Sequence, residues 1–581
     1  MPDDAIAVAP TPAVKEPKET KAQRSERLKL AKNPWEAWEE VREFARQGRE
    51  SVHAEWASLY FKWWGIYTQG DGLGVTGGSG GEGKASEFFM MRIGIPNGLL
   101  TAHQLRVIGA ITKKHARNLA DITTRQNIQL HWLTIADLVE VTDKLTEIGL
   151  SPKGACGDVI RNVTGCPLAG LEHHEFLDAS PLAVQIAHFL TANPDFYNLP
   201  RKFKISVTGC PLWCSYPEIN DVALTAIKRT VNNCDEIGYT LRVGGGLSTE
   251  PHLAVRIPAF IPQDKALAAV VAVVEVFREQ TVLRESRTHA RIKYLFMRHG
   301  WTAESMLAAI ENKLGYKFDP SPLDADVVPG DIYRDHVGVT PQQQPGLSSV
   351  GASVMGGRLS GDQLEALADL ADKHGDGHLR ATIMQNIIVA NVKNQNVRAL
   401  IADLHALDLR VEVSPFWRGA IACTGTEFCK LAIAETKAFS KWLTAEMEER
   451  LPGFDQQIKL HVTGCTNSCG QSWIADIGLE GKKIKKDGKI VDAFYFCVGG
   501  AVGKHAHIAR QIGFRAAAED CPDALERLLR GYLYARETGE DLRAYFARTP
   551  DAELRAQLNG QPILPVDRDP APAGGRHAPD A

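Results

Sequence analysis

Two short stretches of this chain repeat each other and decide its architecture. Residues 203–210 read FKISVTGC, and residues 458–465, which lie 255 positions later, read IKLHVTGC. The same offset pairs further identical residues: Asp221 with Asp476, Val243-Gly244-Gly245 with Val498-Gly499-Gly500, and His252 with His507. Because these identities share one offset and need no gap, they indicate an internal duplication rather than chance similarity.

A second repeat precedes each copy of the first. Residues 98–105 (GLLTAHQL) match residues 357–364 (GRLSGDQL) at an offset of 259, and the same offset aligns residues 126–128 with 385–387. Each copy predicts a strand, helix, strand, helix unit in which Thr101 or Ser360 caps the first helix. The chain is therefore predicted to be two copies of a two-part unit, packed about a pseudo-twofold axis with a site in the crevice between the copies.

Composition limits the classes of protein to consider. A length of 581 residues is too great for one hydrophobic core, and a net charge of −4 gives no global argument for nucleic-acid binding. The longest apolar run, residues 266–274, is far shorter than a membrane span. The first residues lack the apolar segment of a signal peptide, so we expect a cytoplasmic protein with no membrane partner.

We predict an α+β fold with the following segments. They are a disordered tail (1–30), an N-terminal helical segment followed by a Gly-rich loop (31–84), a first half-unit (85–152), a first larger α+β half (153–330), their second copies (345–412 and 413–550), and a second disordered tail (560–581). The glycine-rich part of the loop is residues 70–83, GDGLGVTGGSGGEG.

Four cysteines of the second copy form two closely spaced pairs, Cys423-x5-Cys429 and Cys465-x3-Cys469. Two such pairs of thiolates suit a [4Fe–4S] cluster, whereas zinc usually takes shorter loops; buried free thiols are the third alternative. The first copy keeps Cys210 and Cys214 opposite the second pair but offers only Cys166 opposite the first. A second cluster from Cys156, Cys166, Cys210 and Cys214 is therefore an alternative. Cys234, Cys497 and Cys521 are predicted to be core thiols.

Basic and polar residues distinguish the first copy from the second. Strand alternation over residues 124–131 predicts that Arg125, Asn127, Gln129 and His131 share one face, whereas the second copy has Met384, Asn386, Ile388 and Ala390 there. Lys202 and Lys204 flank Phe203, Arg161 precedes a VTG turn, and Arg92 interrupts the apolar stretch FFMMRIGIP. Together these residues predict a site for a polar, anionic ligand; exposure of the strand face to solvent is the alternative.

These motifs resemble the assimilatory siroheme-dependent nitrite and sulfite reductases. The similarity covers residues 33–545 and rests on the cysteine signature and on TTRQNIQLHW, GDVIRNVTGCPLAG and LPRKFK. It implies two ferredoxin-like half-domains and two siroheme-domain halves related by a pseudo-twofold. It also implies roles for single residues: Cys423, Cys429, Cys465 and Cys469 as [4Fe–4S] ligands, Cys469 also as the bridge to siroheme, Arg92, Arg161, Lys202 and Lys204 as anion ligands, and Arg125, Gln129 and His131 as siroheme contacts.

The resemblance implies a six-electron reductase that takes electrons from ferredoxin. We predict nitrite as the substrate, reduced to ammonia, with sulfite, reduced to sulfide, as the alternative. Lys204 stands where plant-type nitrite reductases have Asn, and FKWWGIYTQ with GACGD resembles a sulfite-reducing branch in which Tyr67 and Cys156 lie close enough to crosslink. An iron–sulfur electron carrier and a zinc-stapled scaffold are the alternatives from other classes.

The electron donor is expected to be a separate protein. Outside the Gly-rich loop the chain has no G-x-G-x-x-G after a strand, and it has no additional flavin domain. Residues 482–489 (KKIKKDGK) carry five lysines around an Asp-Gly pair, which predicts a basic β-hairpin on the copy that holds the cluster cysteines. Such a patch suits an acidic ferredoxin, although a solvated hairpin is the simpler alternative. The resemblance implies a monomer.

Overall fold

The computed structural model describes residues 19–69, 87–321 and 335–561. The Gly-rich stretch 70–83 and most of both predicted tails lie outside these residues. The prediction of a disordered tail up to residue 30 is wrong over its last part, where helix α1 spans Lys21–Ala31. A capping box between Thr20 and Gln23 begins this helix, and the buried Lys29 Nζ donates to the Leu199 carbonyl at 2.9 Å. The segment has a polar composition, so its sequence alone did not predict these few buried contacts.

The first copy follows an aromatic N-terminal segment. That segment contains helices α2 (Trp38–Gln47) and α3 (Ala54–Ser58), and Trp56, Phe61 and Trp63 are fully buried against the first half-unit. The half-unit comprises β1 (Ile66–Thr68), β2 (Phe89–Ile93), β3 (Leu99–Thr101), α4 (Ala102–His115), β4 (Ala120–Ile122), β5 (Ile128–Leu133) and α5 (Ile135–Glu147). The larger half comprises β6 (Thr164–Gly165), α6 (Ser180–Leu190), β7 (Ile205–Thr208), β8 (Val222–Val231), β9 (Cys234–Val243), β10 (Val255–Pro262), α7 (Ala266–Glu279), α8 (Lys293–Arg298), α9 (Ala303–Leu314) and β11 (Asp319–Pro320).

The second copy repeats this order of elements. Its half-unit comprises β12 (Gly338–Pro341), β13 (Leu347–Ala352), β14 (Arg358–Leu359), α10 (Gly361–His374), β15 (His378–Ala381), β16 (Ile387–Lys393) and α11 (Val397–Ala406). Its larger half comprises α12 (Pro415–Arg418), β17 (Ala420–Ala422), α13 (Gly425–Phe428), α14 (Lys437–Arg450), β18 (Leu460–Thr463), β19 (Ile477–Lys486), β20 (Lys489–Val498), β21 (Arg510–Ala517), α15 (Cys521–Ala535), α16 (Leu542–Arg548) and α17 (Asp551–Leu558). The predicted α+β duplication is confirmed.

The two half-units exchange a strand. Their sheets have the orders β1-β2-β5-β4-β14 and β12-β13-β16-β15-β3, so each sheet is completed by a strand from the other copy. Two glutamines mark the pseudo-twofold: Gln126 Nε2 donates to the Ala381 carbonyl and Gln385 Nε2 donates to the Ile122 carbonyl, both at 3.0 Å. Both glutamines also adopt positive φ, which explains why the turn sequence repeats.

The two larger halves share a parallel core that positions the cysteine loops. Strands β6, β7 and β8 run parallel to one another, as do β17, β18 and β19. Asp221 accepts the backbone N–H of Lys204 at 2.7 Å, and Asp476 accepts that of Lys459 at the same distance. These repeated aspartates therefore hold the backbone at the start of β7 and of β18, which is a structural role.

Strands β19 and β20 form the predicted lysine-rich hairpin. Asp487 and Gly488 have φ values of 48° and 79°, as expected of the two central residues of a tight type I′ turn. Its positive charge is smaller than the sequence predicts, because three lysines contact nearby carboxylates: Lys482 pairs with Glu480, Lys483 with Asp492, and Lys486 with Glu519 and Asp520. Lys485 and Lys489 stay exposed. In the part of the chain that is described, no helix has the length and apolar character needed to cross a membrane.

Candidate active site

The four predicted cluster ligands lie together at the carboxyl ends of parallel strands. Cys423 follows β17, Cys429 follows α13, and Cys465 and Cys469 lie in the loop after β18. The Gly464 N–H donates to Cys423 Sγ at 3.2 Å, and Asn467 Nδ2 lies 3.5 Å from Cys465 Sγ. Backbone and side-chain N–H groups aimed at sulfur are suited to thiolate ligands.

The chemistry of these four thiols fits a metal cluster. Burial and the neighbouring Cys469 raise the pKa of Cys429 and of Cys465 to about 12, and burial raises the pKa of Cys423. Four thiolates this close together are stable only beside cationic metal, which deprotonates coordinating thiols. The residues present therefore suit a [4Fe–4S] cluster, and the closed set of four sulfurs matches its ligand requirement.

The basic residues predicted to bind the anion converge on the same region. Lys202 and Lys204 lie just before β7, and Arg161 lies in the segment that pairs with Phe203. Burial, followed by the charges of Arg291 and Arg201, lowers the pKa of Lys202 to about 7, although Cys469 opposes this. Burial, followed by Lys202 and Arg125, lowers the pKa of Lys204 well below its ordinary value. So many mutually repelling cations predict an anionic ligand.

Arg92 connects the anion region to the first half-unit. Arg92 lies on β2, and its guanidinium donates to Gln129 Oε1 at 2.9 Å and to Cys156 Sγ at 3.2 Å. Cys156 also contacts the Tyr67 hydroxyl, and burial followed by this neighbour raises the pKa of Tyr67. The structure thus confirms that Tyr67 and Cys156 are adjacent. It also removes Cys156 from the alternative second cluster.

The predicted siroheme contacts occupy a turn and a strand rather than one strand face. β5 begins only at Ile128, and the positive φ of Gln126 places Arg125 in a turn, so the predicted alternation is wrong for Arg125. Arg125 donates to Asn220 Oδ1 at 2.9 Å and to the Asn162 carbonyl at 2.6 Å. Gln129 Nε2 approaches Thr424 Oγ1 at 3.4 Å, beside Cys423.

Two buried polar atoms of this set lack hydrogen-bond partners among the described residues. They are Arg125 Nε and His131 Nδ1. The other ring nitrogen of His131, Nε2, lies 3.1 Å from Asp121, and the ring stacks on Phe428 at 4.0 Å. The unsatisfied Arg125 donor and the excess of cations are what a polycarboxylate macrocycle would satisfy, so these residues fit siroheme.

One buried ion pair next to the anion region was not found from the sequence. Arg291 makes a bidentate contact with Asp221, at 2.7 and 2.8 Å, and adds to the positive charge around Lys202 and Lys204. Asp221 was visible as a repeated residue, but Arg291 lies 70 residues away and carries no motif. The prediction of Cys234 as a core thiol is wrong, because this residue is exposed at the start of β9; Cys497 and Cys521 are buried as predicted.

Two known protein-family descriptions match this chain. The "Nitrite and sulphite reductase 4Fe-4S domain" matches residues 156–318 and 415–559. The "Nitrite/Sulfite reductase ferredoxin-like half domain" matches residues 82–148 and 340–407. Each of these two domain families matches twice, once in each copy. Together the four matches cover well over half of the chain.

Individual relatives carry names for either substrate. The chain is 35% identical over 542 residues to a "Sulfite reductase [ferredoxin] 1" of Mycolicibacterium paratuberculosis, covering 91% of this chain and 96% of the relative. It is also 35% identical to an "Assimilatory ferredoxin-dependent nitrite reductase" of Haloferax mediterranei, covering 88% and 90%. The structure of the Mycobacterium tuberculosis NirA protein superposes with a TM-score of 0.86 at 34% identity, covering 91% and 97%. The chain therefore belongs to the family of siroheme- and [4Fe–4S]-dependent nitrite and sulfite reductases.

Proposed function

We propose that this enzyme reduces sulfite to sulfide with six electrons, and that nitrite is a second substrate. The observation that carries the proposal is the pair Lys202 and Lys204, which flank Phe203, the residue whose carbonyl accepts from the Arg161 N–H. Sulfite carries more negative charge than nitrite and gains more from a second ammonium group. The contact of Tyr67 with Cys156 supports the same branch by resemblance.

Nitrite stays a candidate because relatives of equal identity carry both names. The Mycolicibacterium protein is named a sulfite reductase and the Haloferax protein a nitrite reductase, each at 35% identity. Names at this distance do not discriminate, so the preference for sulfite rests on the cations and on the contact of Tyr67 with Cys156.

The residues around the anion have separable roles. When bound, siroheme coupled to the cluster supplies the electrons. Arg92 and Arg161 are permanently charged and hold the anion in one orientation. Lys202, with a pKa of about 7, can hold a proton and give it to an oxygen that departs as water. Tyr67 keeps its proton and donates a hydrogen bond, because its pKa is raised by burial.

Steady-state turnover of both anions with reduced methyl viologen tests the proposal. We expect kcat/KM for sulfite to exceed that for nitrite. The reverse order would support the nitrite assignment that the sequence favours. Turnover of neither anion by protein that shows the siroheme absorption would instead indicate an electron carrier.

Lys204→Asn is the variant that probes substrate choice. Losing one charge-assisted contact costs about 1.5–3 kcal/mol, so we expect the sulfite-to-nitrite ratio of kcat/KM to fall roughly tenfold or more. Lys459→Asn is a matched control, since Lys459 occupies the equivalent position before β18. An unchanged ratio in Lys204→Asn would mean that Lys204 does not discriminate between the anions.

We propose that the electron donor is a ferredoxin that docks near the β19–β20 hairpin. Gly481 packs against the Gly464 backbone, and the Glu435 N–H donates to Asp492, so the hairpin extends from the edge of the cluster loops. Lys485, Lys489 and the 77%-exposed Ile490 form a small basic and apolar surface there. Such a surface complements an acidic protein with an apolar contact patch.

Reversing the charge of Lys485 and Lys489 to Glu should raise the KM for ferredoxin several-fold and weaken its dependence on salt. Turnover with methyl viologen should hardly change, because this small cation needs no docking surface. Lys228→Glu, on the equivalent β8–β9 hairpin of the first copy, serves as the control and should leave both donors unaffected. An unchanged KM for ferredoxin would place the dock elsewhere.

A further inference from the structure

Three buried side chains outside the active site bring metal-ligand atoms together. The thiols of Cys166 and Cys214 and a ring nitrogen of His336 lie within 4.8 Å of one another. Cys210 adds a third thiol, which contacts that of Cys214. All four residues are at most 9% exposed.

The three cysteines occupy the structural positions of three cluster ligands. Thr164 and Gly165 of β6 pair with Ser206 and Val207, as Ile421 and Ala422 of β17 pair with His461 and Val462. The residue after each strand is a cysteine, Cys166 in the first copy and Cys423 in the second. Cys210 and Cys214 correspond to Cys465 and Cys469 in the same way. The loop after β7 even repeats the positive φ of Trp213 and Tyr216 at Ser468 and Gln471.

The fourth position is filled from a different part of the chain. No cysteine of the first copy corresponds to Cys429, and His336 approaches from the segment just before β12. This segment is anchored by Asp335, which accepts two hydrogen bonds from Arg418 at 2.6 and 2.7 Å. His336 has a φ of +60°, an uncommon conformation for a residue with a side chain, held by the surrounding contacts.

The spacing of these atoms suits one ion rather than a cluster. A tetrahedral zinc ion binds sulfur at about 2.3 Å and nitrogen at about 2.0–2.1 Å, so its ligand atoms lie less than about 4.6 Å apart. Cys166, Cys214 and His336 come close to this condition, and the Cys210 thiol contacts that of Cys214. No three of the four cluster cysteines do so in the described part of the chain, as expected of a larger cavity for a [4Fe–4S] cluster.

The loop geometry around these thiols also suits a metal ligand set. The Leu212 N–H donates to Cys210 Sγ at 3.4 Å, an orientation that favours thiolate. A metal ion bound here would displace the thiol protons of the three cysteines.

We propose that Cys166, Cys210, Cys214 and His336 form a second metal site that binds a single zinc ion. Three thiolates and one imidazole are a structural zinc set, and zinc neither donates nor accepts electrons there. The ion would join β6 and β7 of the first copy to the segment that leads into the second copy. It would hold these segments together at the position that the pseudo-twofold relates to the iron–sulfur cluster.

Metal analysis of the full-length holoenzyme tests this site independently of catalysis. We expect about one zinc per chain in addition to iron, and an X-ray absorption spectrum at the zinc edge with sulfur neighbours at about 2.3 Å and nitrogen at about 2.0–2.1 Å. Cys166→Ser and His336→Asn should each lower the zinc retained after dialysis against a chelator by about tenfold or more. Iron content and the siroheme spectrum should not change. Cys234→Ser, which alters an exposed cysteine of the same copy, should keep its zinc.

Several results would overturn the proposal. Wild-type holoenzyme that contains no zinc and takes up none from added zinc chloride under reducing, anaerobic conditions has no such site. A disulfide among Cys166, Cys210 and Cys214 in protein purified without oxygen would show that these thiols do not bind zinc. Iron in the same position would refute the choice of zinc as the metal. Equal loss of zinc in Cys234→Ser would identify surface-bound metal. The wild-type measurements remain decisive even where a variant fails to fold.

Discussion

Cys469→Ser is expected to abolish turnover of both anions and the spectral coupling between siroheme and the cluster. Cys469 is the exposed member of the four cysteines, and its carbonyl accepts from Thr124 Oγ1 of the first copy at 3.3 Å, so it lies where the two copies meet. The resemblance implies that its sulfur would be shared between the cluster and siroheme. A serine hydroxyl is a much poorer ligand for iron than a thiolate, so the shared contact is lost.

Cys234→Ser is the control for this substitution, because Cys234 is also exposed but lies at the start of β9. It should leave the optical and electron paramagnetic resonance spectra and both turnover rates close to those of the wild type. Turnover by Cys469→Ser at a wild-type rate would show that Cys469 does not bridge the two cofactors.

Asp121→Ala is expected to lower the free energy of unfolding by about 3–5 kcal/mol, because it leaves buried cations without their partner. The Asp121 carboxylate lies 3.0 Å from Arg358 Nε and 3.4 Å from Lys437 Nζ, both in the second copy, and 3.1 Å from His131 Nε2. Burial alone would raise the pKa of Asp121, but Lys437, His131 and Arg358 hold it well below its usual range. Urea denaturation followed by tryptophan fluorescence measures the effect.

Asp369→Ala gives the matched comparison. Asp369 also pairs across the two copies, with Arg106 at 2.8 Å, but its side chain is 69% exposed. Solvent screens such a pair, so its loss should cost less than about 1 kcal/mol. Equal effects of the two substitutions would mean that the Asp121 cluster does not hold the copies together.

The repeats and the cysteine spacing carried most of what the sequence could predict. A constant offset survives in the chain because equivalent turns need the same residues, such as Gln126 and Gln385 with their positive φ. Thiolate pairs are likewise local, so the loops that hold Cys423 and Cys465 could be recognised. The lysines before Cys210 were identified for the same reason.

Contacts between distant segments could not be predicted from local patterns. Arg291 contacts Asp221, which lies 70 residues away in the sequence. His336 lies near Cys214 although it belongs to the segment just before β12. The turn at Arg125 interrupts an alternation that a strand would have continued, because tertiary contacts to Asn162 and Asn220 select another backbone conformation. Helix α1 was missed since a few buried contacts outweigh its polar composition.

The strand exchange between the half-units gives the chain the topology of a fused, domain-swapped dimer. If the chain were divided between residues 321 and 335, the first fragment would lose β14 and leave β4 with an open edge, and the second would lose β3 and leave β15 open. Open strand edges are templates for aggregation. Neither fragment can complete its sheet alone, so each copy supplies the strand that closes the sheet of the other.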